Sequence, residues 1–212
     1  MNVTAATKDI RAGIRVEWVT ITWMVIEALV SVGAGLIAGS VALIAFGVDS
    51  VIELVIAGVL LGRLRLESLG AVASSEQVER AERRASRVVG WSLILLAAYV
   101  VIQSAYDLWT RAAPESSPVG IALAAAAMLI MPMLVRTKLR VASAISSPAL
   151  KGDAACGVVC TYMAAPLLVG LVLRAVLGWW WADPVAALGI VYFIAREGRE
   201  VLSSQDACGC CK

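Results

Sequence analysis

Residues 46–58, FGVDSVIELVIAG, place two carboxylates inside a run that is otherwise made of apolar residues, glycine and one serine. Asp49 and Glu53 are four residues apart, so in an α-helix their side chains lie on one face, one turn apart. An ionised carboxylate at the centre of a bilayer costs about 2.5–3.5 kcal/mol on the insertion scale. Two of them in one apolar helix therefore predict one of three roles: pairing with a buried basic residue, cation binding or proton relay.

The whole chain is apolar, because 60% of its 212 residues are hydrophobic and its mean hydropathy is +0.85. About 20 apolar residues cross a bilayer. Six stretches of this kind cover roughly 16–39, 40–62, 88–110, 118–135, 152–175 and 183–202. The composition predicts an all-α polytopic membrane protein with an N-terminal segment over 1–15, a six-helix transmembrane domain over 16–202 and a Cys-rich tail over 203–212.

Basic residues indicate the orientation of these segments. All Lys and Arg except Arg111 and Arg174 fall at one end of the predicted helices, and the positive-inside rule makes that end cytoplasmic. Both termini are therefore predicted to be cytoplasmic. The net charge of +2 reports this topology, so we infer no nucleic-acid partner from it.

The position of the basic residues also bears on Asp49 and Glu53. Every Lys and Arg maps to a loop or a segment end, the deepest being Arg174 and Arg196, and four basic residues fall in the predicted 136–151 loop. We therefore expect no basic side chain at the depth of Asp49. A missing resident counter-ion favours an exchangeable one, either a metal cation or a proton.

Segment five carries a second set of candidate ligands in residues 150–160, LKGDAACGVVC. Asp153, Cys156 and Cys160 are spaced i, i+3, i+7 and share one helical face. Set against Asp49 and Glu53, they would form an O/S metal site. Thiolate selects Zn, Cd and softer ions, whereas an all-oxygen site suits Mg, Ca or Mn. The alternative is that both cysteines are small apolar residues of a packed helix.

Other side chains suit entry or capture of an ion. Glu27, midway along segment one, is predicted to shuttle protons or line an entry route, or else to hydrogen-bond a neighbouring Ser or Thr. Cys208, Cys210 and Cys211 in the tail are candidates for capturing a thiophilic ion.

Two sets of residues have structural interpretations. The glycine pairs Gly35/Gly39 and Gly58/Gly62 predict close helix packing in lipid. Asp183, which precedes Pro184, is predicted to cap the N-terminus of segment six.

The stretches AGSVALIAFGVDSVIELV, KGDAACGVVC and WWADPVAAL resemble the cation diffusion facilitator family of divalent-metal transporters, and the resemblance spans all six segments. In that family a D-x-x-x-D pair in the second helix and an H-x-x-x-D pair in the fifth form a tetrahedral metal site. The resemblance implies that Asp49, Glu53 and Asp153 are ligands and that metal is exchanged for protons. It is greatest to short bacterial members and to the vesicular zinc-transporter relatives that lack the family's C-terminal domain. We expect a multi-pass protein of a bacterial inner (plasma) membrane.

The chain departs from this pattern in three places. Ala149 stands where the family has His, and Cys156, one turn after Asp153, is the candidate replacement. Glu53 stands for Asp. The family's C-terminal cytoplasmic domain is missing from this sequence, and a homodimer is kept as a candidate assembly.

The resulting hypothesis is export of a divalent cation, Zn²⁺ first, by proton antiport with alternating access around a midplane carboxylate/thiolate site. No resident cofactor is expected. One alternative is uptake of a thiophilic ion such as Hg²⁺. Another is a membrane subunit or metal-delivery protein that does not transport. An enzyme is not expected, because the sequence offers no nucleophile and base pairing, no phosphate loop and no His.

Overall fold

The computed structural model describes the backbone of residues 3–68, 75–112, 114–145 and 148–204, and these residues are organised as helices joined by short connections. The helices are α1 Val3–Ala38, α2 Val41–Ser68, α3 Ser75–Thr110, α4 Pro118–Ile145, α5 Pro148–Leu177 and α6 Ala182–Ser204. The predicted all-helical class and the number of helices are confirmed. Cys208, Cys210 and Cys211 lie outside the described residues.

Five helices in the described ranges are long and apolar enough to cross a membrane: Ala12–Ala38, Val41–Gly62, Arg87–Thr110, Pro118–Ala144 and Cys156–Leu177. Their outer faces carry large apolar side chains, such as Leu29 (72% exposed), Ile37 (83%) and Trp109 (89%). Lipid is the medium in which such a surface is stable, so this is an integral, multi-pass membrane protein. The shorter α6 carries several charges near its end, and its crossing, like the side on which the termini lie, stays a prediction.

Gly39 ends α1 and turns the chain directly into α2. Its φ of +66° lies in the left-handed region that glycine adopts without strain. The two helices then run against each other so closely that a Cβ on Gly47 would lie 2.7 Å from Val32 Cγ2, and one on Gly35 2.8 Å from Ile44 Cγ1. The predicted close packing is confirmed at Gly35 but not at Gly39, where a Cβ would meet no described atom within 4 Å.

The packing predicted for Gly58 and Gly62 is not found among the described residues. A Cβ at either position would meet no atom within 4 Å. The four-residue spacing alone was therefore not sufficient to identify a contact.

Helix α2 occupies the centre of the bundle, where it packs against α1, α3, α5 and α6. Phe46 on this helix is fully buried, together with Met163 of α5 and Ile194 of α6. The other close pairs are α3 with α6, α4 with α5, and α1 with α4. This arrangement brings side chains from α1, α5 and α6 towards the carboxylates of α2.

Asp183 has a different structural role from the predicted one. Its carboxylate accepts hydrogen bonds from Ser40 Oγ and from the backbone N–H of Ala42, at 3.4 Å. Both donors belong to the N-terminus of α2, whose first N–H groups have no partner inside the helix. Asp183 therefore lies inside the first turn of α6 and ties that helix to the start of α2.

Candidate metal centre

Asp49 and Glu53 lie on the inner face of α2, with side chains 0% and 3% exposed. The helical spacing of four residues places them one turn apart. The central position of α2 removes both from lipid and from water.

Cys160 of α5 completes a group that we call the acid–thiol cluster: Asp49, Glu53 and Cys160. One ligand atom from each residue lies within 4.8 Å of the others, and all three side chains are buried. Two carboxylate oxygens and a sulfur at this separation can converge on one metal ion after small side-chain movements.

Glu27 of α1 borders the acid–thiol cluster. Its Oε1 accepts a hydrogen bond from Ser50 Oγ at 2.7 Å and lies 3.6 Å from Cys160 Sγ. The predicted hydrogen bond to a neighbouring serine is thus present. Because the same oxygen is next to the thiol, Glu27 also adds a carboxylate at the edge of the cluster.

The carboxylates of the acid–thiol cluster have no hydrogen-bond partner in the described part of the chain. Both oxygens of Asp49 and both of Glu53 are buried and unsatisfied. A buried acceptor left without a partner costs about 1–3 kcal/mol, and more if it is charged. The fold therefore retains acceptors that a proton, a water molecule or a cation would satisfy.

Asp153 is held differently, in a group that we call the ion triad: Glu17, Lys138 and Asp153. Lys138 Nζ donates to the Asp153 carboxylate and lies 3.2 Å from Glu17 Oε2. The three residues come from α1, α4 and α5, and each is at most 4% exposed.

The expectation that every basic residue lies in a loop or at a segment end is wrong for Lys138. Helix α4 continues through the predicted 136–151 loop as far as Ile145. Residues 136–145 contain no Pro or Gly that would stop the helix, and Lys138 on its inner face pairs with acids from α1 and α5. Lys138 is consequently a buried basic partner for Asp153, although not for Asp49 or Glu53.

A small cavity of about 10 Å³, room for about one water molecule, lies between the acid–thiol cluster and the ion triad. Glu53 lines it from the first group, and Lys138 and Asp153 line it from the second. Cys156 also contributes to the wall. Of the sequence-predicted ligands, the structure thus brings Asp49, Glu53 and Cys160 together and places Asp153 and Cys156 at an adjoining cavity.

Sequence reasoning missed Glu197 and Glu17. Glu197 of α6 is 2% exposed, and α6 packs against the helix that carries Asp49 and Glu53. A signal was present, because Ile190, Ile194, Glu197 and Val201 follow a 4-3-4 spacing and are all buried. That period marks the inner face of a helix. Glu17 lies so close to the predicted start of segment one that its depth could not be inferred.

Comparison with known proteins supports one family. The model of a family described as "Cation efflux transmembrane domain" matches residues 18–205. The "Uncharacterized transporter sll1263" of Synechocystis sp. is 30% identical over 180 residues, which are 81% of this chain and 57% of that protein. The chain therefore spans little more than half the length of this relative. The match over nearly the entire described bundle confirms the predicted resemblance, and this chain belongs to the cation efflux (cation diffusion facilitator) family.

Proposed function

We propose that this chain transports a divalent metal cation, which binds at the acid–thiol cluster. The observation that carries the proposal is the convergence of Asp49, Glu53 and Cys160 within 4.8 Å inside the bundle. Their carboxylate oxygens find no other partner among the described residues. Burying an acidic group inside the membrane is costly, and groups of this kind mark ion and proton pathways.

The donor set favours zinc or cadmium as the cargo. Two carboxylate oxygens and one thiolate suit a borderline-soft ion with tetrahedral coordination, whereas Mg²⁺ and Mn²⁺ prefer oxygen alone. A fourth ligand would come from Glu27, which is next to Cys160, from Asp153 across the cavity, or from water. Cys156 stays a candidate through its place in the cavity wall.

We further propose export by proton antiport with alternating access. Carboxylic acids and a thiol must lose protons before they bind a metal ion, so metal and protons compete for the same atoms. Protons arriving on the outer side would then help to expel the metal. Glu27, hydrogen-bonded to Ser50, would pass protons to or from the cluster, and Cys208, Cys210 and Cys211 would capture metal before entry.

Metal flux into vesicles containing the purified protein tests the site. We expect Zn²⁺ and Cd²⁺ flux to fall more than about 100-fold in Asp49→Asn. Mutation of a residue that only hydrogen-bonds a metal ligand costs about 10–100-fold in affinity or activity, and loss of a ligand itself should cost at least as much. Glu200→Gln is the matched control, since this acid pairs with Arg196 on an exposed face of α6. Flux that survives Asp49→Asn would exclude the proposed site.

Separate measurements discriminate the rival functions. Export predicts that cells expressing the protein accumulate less metal, whereas uptake of Hg²⁺ predicts that they accumulate more mercury. A membrane subunit or metal-delivery protein would bind metal when purified in detergent but give no metal flux in vesicles. That last result would overturn transport and leave the binding site intact.

A further inference from the structure

Lys138 places a positive charge beside the proposed ion site. We propose that Lys138 is a tethered competitor of the transported ion: its ammonium holds Asp153 until a divalent cation at the acid–thiol cluster recruits that carboxylate. The inference rests on the proposed function. It gives Lys138 a part in setting the affinity and charge of the site, in addition to its structural part.

The geometry places one ammonium between two carboxylates. Lys138 Nζ contacts the Asp153 carboxylate and lies 3.2 Å from Glu17 Oε2. All three groups are buried, with exposures of 3%, 4% and 0% for Lys138, Asp153 and Glu17. When Asp153 moves away, the ammonium keeps Glu17 as a partner, so the exchange never leaves it without an anion.

Asp153 is also close enough to the acid–thiol cluster to be recruited. It lines the same water-sized cavity as Glu53. It shares one face of α5 with Cys160, seven residues later. A carboxylate in this position can face the ammonium on one side or an ion bound by Glu53 and Cys160 on the other.

Lysine suits this exchange better than arginine would. Its ammonium is a compact point charge on a flexible four-carbon chain, whereas a guanidinium binds a carboxylate through a fixed two-pronged contact. A divalent cation brings more charge to Asp153 than the ammonium does, so it can displace the ammonium. The ion therefore binds with its intrinsic affinity reduced by the competition.

Metal titration of the purified protein in detergent tests the competition. With Zn²⁺ and Cd²⁺ as probes, we expect Lys138→Met to bind about tenfold more tightly than the wild type, within the range of couplings between linked sites. Lys151→Met removes an exposed lysine of α5 and serves as the matched control. Unchanged affinity in a folded Lys138→Met protein would overturn the proposal.

A second variant keeps the test decisive if Lys138→Met does not fold. Glu17→Gln leaves Asp153 as the one acid of the triad that pairs with Lys138. The ammonium then holds Asp153 more strongly, so the affinity for Zn²⁺ and Cd²⁺ should fall roughly threefold to tenfold. In an Asp153→Asn background, neither change should alter affinity, because the contested carboxylate is gone. Effects that persist there would show that Lys138 acts in some other way.

These results are separable from failure of the proposed function. If Asp49→Asn abolishes binding while Lys138→Met and Glu17→Gln leave it unchanged, the ion site stands and the competition is refuted. If Asp49→Asn leaves binding unchanged, the proposed site itself is wrong.

Discussion

The acid–thiol cluster and the ion triad meet the same physical problem in different ways. Each buries carboxylates inside one helical bundle, yet a lysine compensates the acids of the triad, and no basic residue in the described chain compensates those of the cluster. Desolvation makes an uncompensated buried charge costly. A structural acid is stabilised by a cation that stays in place, whereas a transport site needs a cation that can leave.

Removal of Lys138, the resident cation of the triad, should have the largest effect on stability and should separate the two groups most clearly. We expect Lys138→Met to lower the free energy of unfolding by about 3–5 kcal/mol, because it leaves Glu17 and Asp153 buried without their cation. Asp49→Asn should not lower it, since the change removes a charge that the described residues do not compensate. Denaturant or thermal unfolding in detergent, without added metal, measures both values.

Two controls define the cause of that loss. Adding Glu17→Gln and Asp153→Asn to Lys138→Met should restore most of the stability, because no charge then remains in the triad. Lys151→Met should have little effect. If Asp49→Asn proved as destabilising as Lys138→Met, the two acidic groups would not differ in the way proposed.

The helices around Asp49 and Glu53 could be predicted from apolar run length, and the shared face of these two acids from their spacing. The choice of Cys160 over Cys156 as the third member could not. All three candidates of α5 lie on one face, so the crossing of α5 against α2 decides which level meets Asp49. That crossing depends on tertiary packing between the helices, which the spacing of residues within one helix does not encode.

The depth of Lys138 could not be predicted for a related reason. The apolar run of α4 ends near residue 135, but the helix continues to Ile145. Whether a charge beyond an apolar run reaches solvent or the interior depends on the partners that other helices supply. Glu17 and Asp153 are 121 and 15 residues away from Lys138 in the sequence, and no local pattern links them.

The spacing between α1 and α2 offers a test of intermediate size. Gly47→Ala would place a Cβ 2.9 Å from the backbone nitrogen of Val32, which cannot move independently of its helix. We expect a loss of about 1–3 kcal/mol in unfolding free energy, typical of overpacking. Gly58→Ala on the same helix is the control, because it meets no described atom and replaces glycine by a better helix former. Equal effects of the two changes would show that close packing at Gly47 is not limiting.

Loss of the hydrogen bond from Ser50 to Glu27 should have the smallest effect on stability. It tests whether Glu27 takes part in ion binding, like the cluster, or has a structural role, like the acids of the triad. Ser50→Ala removes the 2.7 Å bond to Glu27 Oε1, which should cost about 0.5–1.5 kcal/mol of stability. If Glu27 serves the ion, the loss should also change Zn²⁺ affinity, because the carboxylate that lies 3.6 Å from Cys160 Sγ is no longer oriented. Ser143→Ala, which removes an exposed hydroxyl of α4, controls for loss of a serine hydroxyl. A stability loss with unchanged Zn²⁺ titration would assign Glu27 to packing, and the acid–thiol cluster would then function without a fourth ligand from α1.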